Sequence, residues 1–167
     1  MSKRLSLRHI FLVTLMLLLS ACGYHLRGSY ALPERLKQMY LQGESLALRE
    51  QFRLALRTAS GQLLSAPNDG GVIVHIINEE NSQQVLSLNA RGRSNELELY
   101  YRLNYEILDA KQNVLAPAQT VEIKREYFNN QDDIVAKANE ESVIRTEMRN
   151  QAVRSILDRA RVVLAAN

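Results

Sequence analysis

A single cysteine, Cys22, stands in 167 residues, and a lone thiol closes no disulfide within the chain. The sequence also holds no H-x-x-x-H, no cysteine cluster, no G-x-S-x-G and no P-loop, so a metal centre, a nucleophile elbow and a phosphate cradle all lack their residues. Gly70-Gly71 precedes a strand-like run rather than a helix, which is the wrong context for holding phosphate. Of the histidines, His9 lies in the opening segment, His25 follows soon after Cys22, and His75 sits inside VIVHII, where a packed or edge-facing strand histidine is the expectation. Glu96, Glu98 and Glu106 alternate with other residues, as on a solvated strand face rather than in an acid/base pair. No catalytic residue, metal ligand or cofactor is therefore expected. Internal repeats, proline-rich stalks and low-complexity tracts are missing as well, which leaves one domain by size.

Long apolar runs are also scarce. The main one, Ile10 to Leu19, is broken only by Thr14 and reaches half of the ~20 residues that a spanning helix needs. It follows Lys3, Arg4 and Arg8 and ends in Leu19-Ser20-Ala21-Cys22, the layout of a secretory signal closing in a bacterial lipobox. Residues 1–21 read as a signal peptide, Cys22 as the lipidation site, and residues 22–34 as a tether. Lipid anchoring needs more than one acyl chain to be stable, at about 0.8 kcal/mol per buried methylene, and the three chains of that lipoprotein class meet the need. Position 23 is Gly rather than Asp, so the inner-membrane retention signal is missing and the outer membrane is expected.

Charge of one sign is missing too. The full chain is formally +3, but Lys3, Arg4 and Arg8 belong to the signal; taking these from the 21 basic side chains leaves as many as the 18 acidic ones. A balanced mature chain has no general field for nucleic acid, and none is expected as a partner.

What is present is periodicity. Leu36 to Leu41 reads as a strand. Leu48, Phe52, Ala55 or Leu56, Ala59 and Leu63 then recur at helical spacing, with Ser45 as N-cap and Gly61 as a left-handed end. After the Asn68-Asp69-Gly70-Gly71 turn, Val72 to Ile77 is a β-branched run of the kind covered on both faces. Val85 to Asn89 and Glu96 to Leu108 flank a polar tip, Ala90 to Asn95, as a hairpin. In its second arm Leu97, Leu99, Tyr101, Leu103, Tyr105 and Ile107 alternate with polar residues and Tyr100. A turn at 109–113 leads to a strand from Thr120 to Phe128, with Arg125 on its apolar face and read as lying beyond the core. A last helix spans about Asp132 to Leu164, with Asn130 and Asp133 at capping-box spacing and a stripe of Ile144, Met148, Ala152, Ile156, Ala160 and Val163 or Leu164. The expected fold is α+β, two helices on a mostly antiparallel four-stranded sheet in the order β-α-β-β-β-α, with residues 35–167 as one domain.

One constellation points to a ligand. Arg91 and Arg93 flank Gly92 on the hairpin tip, where guanidinium forks can hold phosphate bidentately. Lys137, near the start of the last helix, adds a cation that converges with them if helix and hairpin ends are neighbours, and helix starts favour phosphate in any case. A bis-phosphorylated glycolipid suits such a site.

Three segments carry a family resemblance: Cys22-Gly23-Tyr24-His25-Leu26-Arg27, the Arg125, Phe128 and Asn129 neighbourhood, and AKANEESVIRTEM from Ala136 to Met148. Together they resemble LptE, also called RlpB, the outer-membrane lipoproteins of lipopolysaccharide assembly. The resemblance implies a plug inside the LptD β-barrel that binds lipopolysaccharide. Lys137 matches a basic lipid-contacting position of that family, and Arg91 or Arg93 matches its loop arginine approximately. The alternative is a free-standing periplasmic lipoprotein serving another envelope transport system. Replacing Cys22 by Ala is expected to abolish acyl incorporation and leave an unprocessed precursor, as read by labelled palmitate and mobility; normal labelling of Cys22→Ala would refute the lipobox assignment.

Overall fold

In a computed structural model, residues 32–128 and 134–166 are described. All of them lie in the unit Ala31–Asn167, one of two into which the chain divides. The signal segment, Cys22 and the Asn130/Asp133 capping box fall outside the described residues.

Among the described residues the architecture is α+β, with three helices and a mixed five-stranded sheet. A short helical turn, α1 (Glu34–Lys37), leads into β1 (Gln38–Gln42), α2 (Leu46–Thr58), β2 (Gln62–Leu64), β3 (Val72–Leu88), β4 (Ser94–Asp109), β5 (Val114–Phe128) and α3 (Ile134–Ala166). The strand order is β2-β1-β3-β4-β5. β1 runs parallel to both β2 and β3, while β3, β4 and β5 form an antiparallel meander.

The four-strand expectation missed β2, a strand of three residues. Its Leu63 falls at helical spacing from Ala59 and so read as the tail of α2. What ends α2 is a left-handed Ser60, at φ 58°, rather than Gly61. Ser60 N–H donates to Arg57 O at 3.2 Å and Gly61 N–H to Leu56 O at 2.7 Å, the paired bonds of a Schellman close. Glycine at 61 answers crowding instead: a Cβ there would meet the Leu56 and Lys37 carbonyl oxygens at 3.3 Å. At the other end, the Ser45 hydroxyl accepts from Leu48 N–H at 3.2 Å, the expected N-cap. The first strand begins at Gln38 rather than Leu36, because Pro33 O takes the Leu36 and Lys37 N–H groups into a helical turn.

β3 and β5 are longer than their apolar runs. β3 continues from Val72 through the polar NEENSQQ to Leu88 as one strand of 17 residues, and β5 begins at Val114. Backbone pairing with β4, itself 16 residues, draws both into the sheet along their length.

Alternation in β4 decides the layering. Leu97, Leu99, Tyr101, Leu103, Tyr105 and Ile107 are all buried in one core with Phe52, Leu48 and Leu56 of α2 and Met148, Ala152, Val153, Ile156 and Ala160 of α3. On β3 the residues sharing that side are Val72, Val74 and Ile76. A bulge between Ile76 and Asn78 then shifts the pairing so that Glu79 opposes Leu103. Arg125 does not mark the end of the core, since Tyr127 beyond it is buried; its guanidinium, itself exposed, donates to Gln151 on α3.

Burying one large apolar side chain contributes about 1.5–3 kcal/mol, and truncating it adds the cost of a cavity. Phe52→Ala is expected to lower the unfolding free energy by about 3–5 kcal/mol, and Leu54→Ala, on the exposed side of the same helix, by no more than about 0.5 kcal/mol. Urea titration of both variants checks the layering; equal losses would contradict it.

Candidate functional site

The hairpin between β3 and β4 ends in a tip held by Asn89. Its carboxamide oxygen accepts from the N–H groups of Arg91 at 2.9 Å and Arg93 at 3.1 Å. Asn89 N–H donates to Arg93 O at 2.8 Å and Gly92 N–H to Asn89 O at 2.9 Å. Gly92 takes the left-handed φ of 71° that this turn requires. The tip backbone is thus set by its own bonds, and Arg91 and Arg93 stand exposed on it.

Lys137 lies in the first turn of the described part of α3 and is half-buried. The sheet register carries the end of β5 to the base of the hairpin, with Leu97 opposite Tyr127 and Glu96 opposite Phe128. Tyr127 in turn fastens the start of α3, because its hydroxyl donates to the Glu141 carboxylate at 2.9 Å, and Glu141 also accepts from Arg145 Nε at 2.8 Å. Glu141 is one helical turn from Lys137, whose charge acts on it. Helix start and hairpin tip are therefore at the same end of the sheet, and the three candidate cations share that end.

Large apolar side chains are exposed there too. Val85, Leu86, Leu88 and Phe128 are 53%, 43%, 64% and 69% accessible. The sequence offered a partial signal for them: the β-branched and leucine residues of VLSL were legible, but not their position on an unburied stretch of strand.

The Tyr127–Glu141–Arg145 clasp is not legible in the sequence, since Tyr127 stands on β5, 14 residues before its partner Glu141 on α3. Burial pushes the Glu141 carboxyl up, but the bonds from Arg145 and Tyr127 and the Arg145 and Lys137 charges outweigh it and hold the group below its ordinary 4.5. Burial first, then Glu141, pushes the Tyr127 phenol up to about 12. A second polar joint lies deeper: Tyr101 Oη donates to Glu79 Oε1 at 3.0 Å, while Ser45 N–H donates to Glu79 Oε2 at 3.3 Å. Burial and the Glu79 charge raise the Tyr101 phenol far out of the titrating range.

The carboxylates of β4 form no acid/base pair. Glu96 accepts from Ser87 Oγ at 2.7 Å, Glu98 from Gln84 Nε2 at 3.0 Å, and Glu106 meets His75 Nδ1 at 2.8 Å. On the same side Arg102 bridges to Glu122 at 2.7 Å and Lys124 lies 4.8 Å from the Tyr100 ring centroid. This side of the sheet is a set of cross-strand polar pairs. Among the described residues no cluster of His, Cys, Asp or Glu is arranged to hold a metal, and no helix is long and apolar enough to cross a membrane.

The family model for lipopolysaccharide assembly, LptE, matches residues 36–160. The chain belongs to the LptE family. That range runs from α1 to the later part of α3 and so takes in the hairpin tip, the clasp and Lys137. LPS-assembly lipoprotein LptE of Photorhabdus laumondii is 26% identical over 157 residues, covering 90% of this chain and 85% of that protein. The protein of the same name from Yersinia enterocolitica is 28% identical over 170 residues, covering 96% and 80%. Among solved structures, lipoprotein B of Nitrosomonas europaea superposes with a TM-score of 0.69 at 26% identity, covering 86% of this chain and 94% of that one. Rare lipoprotein B of Shewanella oneidensis gives 0.64 at 26% identity, covering 77% and 97%. LptE proteins are envelope lipoproteins of lipopolysaccharide assembly and not enzymes, and this chain takes part in that process.

A carboxyl whose pKa falls on folding stabilises the folded form above its unfolded value and loses that contribution as pH drops through the lower, folded value. Acidification from about pH 5 to about pH 3 is therefore expected to lower the melting temperature less steeply in Glu141→Gln than in the unsubstituted chain. Tyr127→Phe is expected to lower stability by about 1 kcal/mol at neutral pH. Parallel acid slopes for both chains would show that the clasp is not formed.

Proposed function

We propose that this chain is held at the outer membrane by lipid on Cys22, fills the lumen of the LptD β-barrel, and grips the phosphates of lipopolysaccharide with Arg91, Arg93 and Lys137. The observation that carries the reading is the shared end: two exposed guanidinium groups and an ammonium beside Val85, Leu86, Leu88 and Phe128. Phosphate recognition by arginine forks next to apolar surface matches an amphiphile with acidic head groups and acyl chains. Arginine serves better than lysine at the tip because its planar fork meets two phosphate oxygens at once.

The polar pairs on the open side of the sheet support the plug. A barrel lumen is polar, and a surface on which Glu96, Glu98, Glu106 and Glu122 already have partners can face such a wall without stranding a charge. Cys22 as anchor supports the membrane location, and Gly23 favours the outer membrane. Lipopolysaccharide, LptD and the membrane are then the partners, and nucleic acid is not among them.

Reversing the charge at Arg91, Arg93 and Lys137 together is expected to weaken lipopolysaccharide binding at low salt by at least tenfold with the unfolding transition unchanged. Unaltered affinity would remove the site assignment. Affinity purification of the tagged chain from detergent-solubilised outer membranes is expected to retain LptD. Recovery of the chain alone would favour the free-standing periplasmic lipoprotein and overturn the plug.

A further inference from the structure

Asp69 is followed by Gly70, and no other aspartate or asparagine of the chain precedes a glycine. An aspartyl carboxyl stands one methylene from the backbone, within reach of the next residue's amide nitrogen. A side chain on that next residue is what ordinarily hinders their approach, and glycine has none.

The fold leaves both groups at liberty. Gly71 N–H donates to Asn68 O at 3.0 Å, closing a turn between β2 and β3 with Asp69 and Gly70 as its central residues. Both are exposed. Gly70 takes a left-handed φ of 87°, with open space where a Cβ would stand. Among the described residues the Asp69 carboxylate has no hydrogen bond or ion pair, and the Gly70 N–H has no acceptor.

Comparable side chains elsewhere are tied down. The Asp109 carboxylate takes the N–H groups of Lys111 and Asn113 at 2.8 Å each. The Asn89 carboxamide oxygen holds those of Arg91 and Arg93, and Asn68 Nδ2 donates to Gln38 Oε1 at 2.7 Å. Asp158 lies within α3, whose helical bonds engage the N–H that follows it. Asp69 alone joins a free carboxylate to an unhindered, free amide.

We infer that Asp69-Gly70 is a modification site, at which the folded chain converts aspartyl to isoaspartyl without an enzyme. The Gly70 nitrogen attacks Asp69 Cγ of the protonated carboxyl. A Cγ–N bond forms, a Cγ–O bond breaks, and the carboxyl OH leaves with the Gly70 amide hydrogen as one water. Water then returns at the Asp69 backbone carbonyl and breaks its bond to the Gly70 nitrogen, so the main chain runs through Cγ. No atom is gained or lost overall, and no oxidant or reductant takes part. The change adds a methylene to a turn without slack, since a Cβ on Gly71 would stand 2.9 Å from Gln38 O. It loosens the β2–β3 connection beside β1, with the length of β3 between it and the hairpin-tip arginines. The proposal does not depend on the barrel or lipid-binding readings.

Ageing the full chain at neutral pH tests it, with methyl transfer from labelled S-adenosylmethionine by an isoaspartyl methyltransferase as the readout. Label is expected to accumulate in the tryptic peptide 58–91, bounded by Arg57 and Arg91, and fragmentation to place it at Asp69. Asp69→Glu keeps the charge but demands a larger ring, and is expected to lower the label in that peptide at least tenfold. Conversion at Asp69 in the folded chain is expected to run no slower than about a fifth of its rate in urea. A slower folded rate would overturn the proposal, and so would label that persists undiminished in Asp69→Glu.

Discussion

Six side chains on one strand have to be kept from water. Leu97, Leu99, Tyr101, Leu103, Tyr105 and Ile107 occupy one side of β4, so the stripe is as long as the strand. No single helix of ordinary length lies across all of it together with its neighbours on β3 and β5. α3, at 33 residues, covers the β4–β5 side along the meander, and α2 closes the remainder over β1 and the first half of β3. The placement of every candidate functional residue follows. α3 must begin where β5 ends to run the length of the stripe, which puts Lys137 at the hairpin end. Tyr127 and Glu141 fix that start with a bond between a buried phenol and a half-buried carboxylate.

Much of this was legible because side-chain period reports backbone state directly. β4 alternates without a fault over six buried positions, and α3 keeps steps of four from Ile144 to Ala160, so their types and buried sides could be read from residues alone. The turn at 109–113 followed from Asp109, whose carboxylate takes the N–H groups of Lys111 and Asn113 at 2.8 Å each. What stayed hidden is what pairing imposes. NEENSQQ has no strand pattern, because β3 there, apart from the half-buried Glu79, is exposed on both sides and is held in the sheet by β4. β2 is three residues whose only strand partner among the described residues is β1. Ser60 in a left-handed conformation is contrary to the preference that pointed to Gly61.

The candidate site was legible in its residue types and not in its surroundings. Arg-Gly-Arg on a tip and a lysine near a helix start name the ligand chemistry, but their nearness depends on the β4–β5 register, which brings together residues as distant in sequence as Glu96 and Phe128. The exposed Phe128 could not be told from a core aromatic by period alone, since it directly follows the buried Tyr127. Carboxylates on β4 read as solvated charge; in the fold each has a designated neighbour, and the open side of the sheet is closer to a laced polar surface than to a field of free acid.

The chain order of the covering elements has a temporal meaning. α3 is made after all five strands, yet it supplies Met148, Ala152, Val153, Ile156, Leu157 and Ala160 to the core. A polypeptide that emerges amino end first, from a ribosome or an export channel, displays the bare leucine and tyrosine stripe until α3 arrives. Holding such a nascent sheet apart from its fellows is work for a chaperone, and the interval closes only when the carboxyl-terminal rod clicks over the strands.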